Sequence, residues 1–289
     1  MKQYGIVDTG SNTIVLIVYE IQEGRPIPVR YYSDPVLLID YVKDGALEPI
    51  GIEKAKASLM QYAEMLDTLD IESRHCDITE PCRVLNASEL ISALEETGFV
   101  VHPLSGAEEA ACDFIGAKLS YPSLKDGVAF DVGGGSTELI SFQDNEIVDA
   151  MSFHLGCVRL AHLPLDTSAC MEEIEKAAAQ YPSLAKKQDQ LIAIGGTAKF
   201  ATHVIEALHG QGKTYPVAFL KDLFDRLCDK EPAAVSIMKQ IVNPARQPLF
   251  LPGIHMILEI SRFYGAKTLC FSDTGIREGF FMKHVMGMA

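Results

Sequence analysis

Apolar and polar positions follow one plan twice along this chain of 289 residues. In each half an apolar strand ends in an acid and a small-residue turn, and a second apolar strand follows, which indicates a hairpin. The predicted strands are residues 4–7, 13–21 and 28–32 in the first half, and 127–131, 137–142 and 147–153 in the second. This duplication predicts two related halves that face each other across a cleft.

Helical periodicity separates these hairpins from further short strands. Helices are predicted at residues 52–69, 88–96, 105–119, 171–180, 253–264 and 277–285, and strands at 83–86, 98–103, 190–194 and 268–272. Strands that alternate with helices predict an α/β fold with mixed sheets and helices on their faces. The stretch 120–127 has the composition of a linker. We therefore expect domains at 1–123 and 124–289, with the last helix able to pack back on the first domain.

Charge and composition exclude several classes of protein. A net charge of −14 gives no overall attraction to nucleic acid. No apolar run reaches the ~18 residues that a membrane span needs, and the lack of a signal peptide predicts a cytoplasmic protein. Seven scattered cysteines argue against a disulfide framework. A phosphate site in so acidic a chain depends on backbone amides, helix N-termini, a metal and a few basic side chains.

The two hairpin turns are candidate anion-binding sites. Backbone N–H groups in such turns point outward together and form a concavity called a nest. The first turn contains Ser11, Asn12 and Thr13. The second contains Gly133, Gly134, Gly135, Ser136 and Thr137. Three glycines let the main chain approach an oxyanion closely. The alternative is a tight hairpin without a ligand, although a simple hairpin needs fewer glycines.

Four acids are candidates for metal binding and proton transfer. Asp8 and Asp131 can hold Mg²⁺ directly or through water, because magnesium takes one or two carboxylates besides phosphate oxygens; otherwise they cap their own turns. Glu109 begins a predicted helix and is the candidate general base for a water that attacks a terminal phosphorus. Acids at that place also satisfy the helix dipole. Glu138 can orient the water or the metal, or it faces solvent.

A third glycine turn follows a predicted strand. Gly195, Gly196 and Thr197 precede a predicted helix whose N–H groups can lie near an anion, with Lys199 reaching in. A plain strand-to-helix turn without a ligand explains the same residues equally well.

Seven segments, in order along nearly the whole chain, resemble the exopolyphosphatase and guanosine pentaphosphate phosphohydrolase (Ppx/GppA) family of the actin-like ATPase superfamily. They are residues 8–13, 105–110, 130–138, 155–160, 194–198, 251–253 and 272–279. The resemblance implies two ribonuclease-H-like domains around a cleft. It also implies release of terminal phosphate from polyphosphate or guanosine pentaphosphate, with Mg²⁺ or another divalent cation.

The resemblance assigns roles to individual residues. It implies that Glu109 is the base, that Asp131 and Glu138 support the metal and the water, and that the glycines bind phosphate. The expected partners are polyphosphate or guanosine penta- or tetraphosphate, with neither nucleic acid nor a membrane. It allows a homodimer, which no exposed apolar stripe in the sequence compels.

The chain departs from the family at three arginines. Leu37 lies in a stretch where relatives usually have a Val-Arg-Leu-Gly-like sequence. Glu89 takes the place of an arginine that in relatives follows Ala-Thr-x-x-x. Ala111 takes the place of the arginine that in relatives follows Glu-Glu-Ala. Charge-assisted hydrogen bonds to phosphate are the strong ones, so their loss predicts weaker binding of a polyanion, unless Lys43 and Lys199 compensate. One alternative is therefore a weak or inactive phosphate- or nucleotide-binding regulatory protein. Another is an ATP-using enzyme of the same superfamily.

Overall fold

The computed structural model describes residues 2–163, 165, 167–212 and 214–287. The chain divides into two compact units: unit 1 comprises residues 1–109 and 280–289, and unit 2 comprises residues 110–279. These contact-defined units differ in their limits from the predicted domains, 1–123 and 124–289, which stay a prediction. None of the described helices combines the length and the apolar character that a membrane crossing requires.

Unit 1 contains a mixed five-stranded sheet in the order β3-β2-β1-β6-β7. Its strands are β1 (Gln3–Thr9), β2 (Ile14–Gln22), β3 (Arg25–Asp34), the small hairpin β4 (Val42–Lys43) and β5 (Ala46–Leu47), β6 (Ile71–Ile78) and β7 (Val100–Pro103). Its helices are α1 (Pro49–Asp67), α2 (Ala87–Glu95) and the first turn of α3 (Gly106–Ser120). β1 is antiparallel to β2 and parallel to β6, and β6 is parallel to β7.

The core of unit 1 lies between this sheet and α1. Ala55, Leu59 and Leu66 fall on one stripe of α1 and are buried in the same apolar cluster as Val7 and Leu16 of the hairpin. The π-helical segment Phe281–Val285 also belongs to unit 1. There the ring of Phe281 lies 5.2 Å from that of Tyr4 and 5.4 Å from that of Tyr19, measured between centroids.

Unit 2 contains a six-stranded sheet in the order β10-β9-β8-β11-β13-β12. Its strands are β8 (Gly127–Val132), β9 (Thr137–Gln143), β10 (Glu146–Phe153), β11 (Gln190–Ile194), β12 (Thr214–Pro216) and β13 (Thr268–Phe271). Its helices are α4 (Cys157–Ala161), α5 (Thr167–Gln180), α6 (Gly195–His209), α7 (Val217–Cys228), α8 (Pro232–Ile241) and α9 (Gln247–Tyr264), followed by α10 (Ile276–Phe280) at the limit of the unit. Its core joins the sheet to α6 and α9.

The two sheets share a topology of five strands. In each, a meander of three antiparallel strands is followed by two parallel strands that continue from the first strand of the meander. The sheet of unit 2 adds the edge strand β12, which is antiparallel to β13. This arrangement, repeated in both halves, confirms the predicted α/β fold with two ribonuclease-H-like units and mixed sheets.

One predicted element is wrong. Residues 83–86 do not form a strand; the 3₁₀ turn Glu80–Arg83 precedes α2, and the strand of this region is β6. Pro81 in that turn cannot donate a backbone hydrogen bond, which favours a turn over a strand. β6 was not predicted because its residues 72–75 are a polar run, Glu-Ser-Arg-His, that makes it look like a solvent-exposed segment.

Candidate functional site

The first turn is fixed by backbone hydrogen bonds from a neighbouring loop in unit 1. Gly10 N donates to Thr13 O (3.1 Å) and closes the turn. Ile39 N donates to Ser11 O (3.0 Å), and Leu37 N donates to Asn12 O (3.0 Å). The hydroxyl of Ser11 is also committed, because it donates to the Glu80 carboxylate. The predicted phosphate-binding residues of this turn therefore lie together, and hydrogen bonds from Leu37 and Ile39 hold their backbone in place.

The carboxylates next to this turn fit a hard cation. Asp8 and Asp77 are direct neighbours on the parallel strands β1 and β6, and both are buried. The Asn12 side chain is buried as well, and its Oδ1 has no hydrogen-bond partner among the described residues. Oxygen ligands of this kind suit Mg²⁺. The described residues include no cluster of three His, Cys, Asp or Glu side chains suited to a metal, so the ion would need phosphate oxygens and water to complete its shell.

The two adjacent glutamates of α3 have different roles. Glu108 forms a capping box: its carboxylate accepts from Ser105 N (2.9 Å) and Ser105 Oγ (2.7 Å), while Ser105 Oγ accepts from Glu108 N (3.2 Å). Glu109 instead points to Arg83, whose Nη2 donates to its Oε2. The Glu109 side chain is only 11% exposed, and that of Arg83 is 18% exposed. Glu108 thus satisfies the helix start, whereas Glu109 is held by the guanidinium of Arg83.

Arg83 was not among the predicted site residues, and it contacts the candidate base. It follows Thr79 after three residues, which matches the Thr-x-x-x-Arg spacing that the family resemblance implies. Glu89, the residue predicted to replace that arginine, lies in α2, where its carboxylate accepts from Asn86 Nδ2 (3.3 Å). Leu37 remains a departure from the family pattern.

In unit 2 the carbonyl groups of the second turn are all used. The amides of Cys157 and Val158 at the start of α4 donate to the oxygens of Gly133 and Gly134 (both 2.9 Å), and Gly135 O accepts from Arg159 Nε (3.0 Å). Within the described part of the chain, no hydrogen bond engages the amides of Gly134 and Gly135. The carbonyl groups of the turn therefore face α4, and the amides of Gly134 and Gly135 are left as donors for an anion.

The side chains beside this turn hold its shape. Thr137 Oγ1 donates to Leu155 O (2.8 Å). Glu138 is buried, and its Oε1 accepts from Ser136 Oγ (2.8 Å) and Ser152 Oγ (2.7 Å). The interpretation of Glu138 as a solvent-facing residue is therefore wrong. Glu138 is the direct cross-strand neighbour of Asp131 in the β8–β9 pair, so these two acids belong to one local site.

The third glycine turn adjoins the same site. Helix α6 begins at Gly195 itself rather than beyond Thr197, so the three turn residues form its first turn. A Cβ at Gly195 would collide with the Asp131 carboxylate. Thr197 Oγ1 donates to Val132 O (3.3 Å), which joins the helix to the end of β8. Lys199 lies on the same helix and is exposed.

Two arginines near these turns were not among the predicted site residues. Arg246 approaches the start of α6 so closely that a Cβ on Gly196 would lie 2.5 Å from Nη1. Arg159 contacts the second turn, as described above, and lies within a segment that resembled the family. Asn243 and Pro244 indicate a turn before Arg246 in the sequence, but they do not reveal that Arg246 lies next to Gly196.

Cys157, which begins α4 beside the second turn, is unsuited to nucleophilic attack. Burial raises the pKa of the Cys157 thiol to about 11, although the nearby Arg246 lowers it. The thiol is therefore protonated at neutral pH, and a thiolate is the nucleophilic form. The chemistry of this unit rests on amides, carboxylates and guanidinium groups.

Comparisons with known proteins found a matching family model, similar sequences and a similar fold. The model of the Ppx/GppA phosphatase family matches residues 17–286. A Haemophilus influenzae protein, named for an inferred exopolyphosphatase activity, is 24% identical over 96% of this chain and 90% of its own length. A guanosine-5′-triphosphate,3′-diphosphate pyrophosphatase of Pseudoalteromonas atlantica is 22% identical over 96% of this chain, which spans 57% of that relative. The crystal structure of an exopolyphosphatase from Cytophaga hutchinsonii matches with a TM-score of 0.83 at 21% identity, covering 100% of this chain and 99% of that one.

Proposed function

Because the chain belongs to the Ppx/GppA phosphatase family, we propose that it releases terminal phosphate from polyphosphate or guanosine pentaphosphate by attack of water. As a member of that family it is a hydrolase of phosphoanhydride bonds. The observation that carries the proposal is the second turn, whose carbonyl groups are consumed by α4 and Arg159 while the amides of Gly134 and Gly135 remain for an anion. Arg246 and the start of α6 add positive potential to the same unit.

The proposed division of labour follows from the positions of the side chains. Glu109 takes the proton of the attacking water. Glu138, held by two serine hydroxyls beside Asp131, orients the water or the metal. Mg²⁺ or another divalent cation, with Asp8 and Asp131 as its proposed carboxylate ligands, would neutralise phosphate oxygens.

The test is phosphate release from polyphosphate of several lengths and from guanosine pentaphosphate. We expect Glu109→Gln to lose about two to four orders of magnitude in turnover, the usual contribution of a general base. Glu108→Gln is the matched control, because it removes the same charge one residue away from a carboxylate that only caps α3. Equal release by Glu109→Gln and the wild type would reject Glu109 as the base.

A second candidate function is a phosphate- or nucleotide-binding protein with weak or no turnover. It is favoured by Leu37, which is 40% exposed on the loop that supports the first turn, in the stretch where relatives usually carry an arginine. Thermal-shift titration with phosphate, guanosine tetraphosphate and polyphosphate separates the two functions. Binding without any phosphate release would favour this second function.

A further inference from the structure

We propose that the substrate phosphate and Glu109 compete for the guanidinium of Arg83, so that binding of the substrate itself releases the base. This inference deepens the proposed function and rests on it for the role of Glu109. It concerns residues of unit 1 alone.

The ion pair between Arg83 and Glu109 is poorly solvated. Both side chains are less than one fifth exposed, so their attraction is stronger than that of a surface pair. In the absence of substrate, the carboxylate of the candidate base is thus engaged by Arg83.

A polyphosphate end offers Arg83 a better partner than one carboxylate does. It carries more charge and more acceptor oxygens, and guanidinium groups bind phosphate through two parallel hydrogen bonds. The backbone of Arg83 need not move, because the turn is closed locally by the bond from Cys82 N to Thr79 O (3.1 Å). The proposed exchange of partner is a change of the Arg83 rotamer.

The chemical step then balances. The water oxygen bonds to the terminal phosphorus, and the bridging P–O bond breaks with its electron pair going to the shortened chain. The water proton passes to Glu109, whose carboxylate Arg83 no longer neutralises. The start of α3 still favours a negative charge at this residue, so Glu109 gives its proton to water after the products leave and pairs with Arg83 again.

Competition predicts a specific pattern of binding that does not require turnover. The probe is inorganic tripolyphosphate, and its affinity is measured by calorimetry for the wild type, Glu109→Gln, Arg83→Gln and the double variant. We expect Glu109→Gln to bind about tenfold more tightly than the wild type, because a neutral amide competes less well than a carboxylate for Arg83. We expect the same substitution to change affinity less than about twofold when Arg83→Gln is already present.

Controls keep the outcome decisive. Glu108→Gln removes an equal charge next to Glu109 and should leave affinity within about twofold of the wild type. If Arg83→Gln alone fails to fold because Glu109 is left buried without its cation, the double variant still provides the comparison with Glu109→Gln. An equal gain in both backgrounds, or no gain in either, would overturn the competition. Absence of phosphate release from a wild type that shows the expected binding pattern would reject the proposed function and not the competition.

Discussion

The Asp131 carboxylate lies so close to Gly195 that a Cβ on residue 195 would collide with it. Asp131 lies one residue before the end of β8, beside Ile194 of the parallel strand β11, and its carboxylate lies against the first residue of α6. Gly195 has a φ of 84°, which residues with a Cβ rarely adopt. The chain thus needs glycine here for two reasons, of which one is the position of a candidate metal ligand.

Gly195→Ala should therefore lower phosphate release by at least about tenfold, because Asp131 must move from its place. Gly210→Ala is the matched control: Gly210 has a φ of 93°, and a Cβ there would meet no atom within 4 Å. It should cost about 1 kcal/mol of stability without affecting turnover. Unfolding in urea and phosphate release are measured for both variants, and equal losses of turnover would contradict the role given to Asp131.

Arg246→Gln should weaken the binding of polyphosphate. A hydrogen bond to a charged group contributes about 1.5–3 kcal/mol, so the KM should rise roughly ten- to hundredfold while kcat falls less. Arg25→Gln, at an exposed position of β3, removes the same charge and should leave the KM nearly unchanged. Steady-state kinetics at fixed ionic strength give the KM of both variants. A similar rise of the KM in both would mean that only net charge matters.

Removal of divalent cations with a chelator should abolish phosphate release, and added Mg²⁺ should restore it. Since the described residues include no cluster of three metal-binding side chains, Mg²⁺ alone should raise the Tm by less than about 1 °C, and more when tripolyphosphate is also present. Asp8→Asn should reduce this joint effect. Strong stabilisation by Mg²⁺ alone would point to a complete protein cage and contradict the proposed site.

Three histidines of unit 1 should make its stability depend on pH. His75 Nδ1 lies 3.2 Å from His102 Nε2, and the rings of His102 and His284 are 5.5 Å apart between centroids. Burial, with contributions from His75 and His284, lowers the pKa of His102 to about 4. The folded state therefore favours the neutral imidazole, and stability should be lost as the pH falls from about 6.5, the usual value in an unfolded chain, towards 4.

The groups that face His284 act in opposite directions: Lys283 lowers its pKa, and Glu108 raises it. For His102→Asn we expect the loss of unfolding free energy between pH 7 and pH 4.5 to shrink by about 2 kcal/mol, after allowance for partial exposure. His203→Asn, which replaces an exposed histidine of α6, should keep the pH dependence of the wild type. Urea unfolding at several pH values measures this difference. An unchanged slope in His102→Asn would show that His102 titrates normally.

The sequence predicted the features that depend on neighbouring residues. Both hairpins and their turns were found because alternating apolar positions and glycine-rich turns are local patterns. The strand β6 was missed because the polar run at residues 72–75 lacks the alternation of apolar positions that predicts a strand.

The partners of the candidate residues could not be found in this way. Arg246 lies 50 residues from Gly196 along the chain, and only the folding of α9 against α6 brings them together. Arg83 and Glu109 are joined in the same manner by the ends of β6 and β7. A sequence indicates which side chains carry chemistry; which of them neutralise each other depends on tertiary packing.

The place of Phe281 has a consequence for biosynthesis. Its ring packs on Tyr4 and Tyr19 at the other end of the chain, so unit 1 consists of two segments separated by all of unit 2. The ribosome releases the first segment long before the second exists, whereas unit 2 is continuous. Unit 2 can therefore fold during translation, and unit 1 reaches its final packing only after Phe281 has been synthesised.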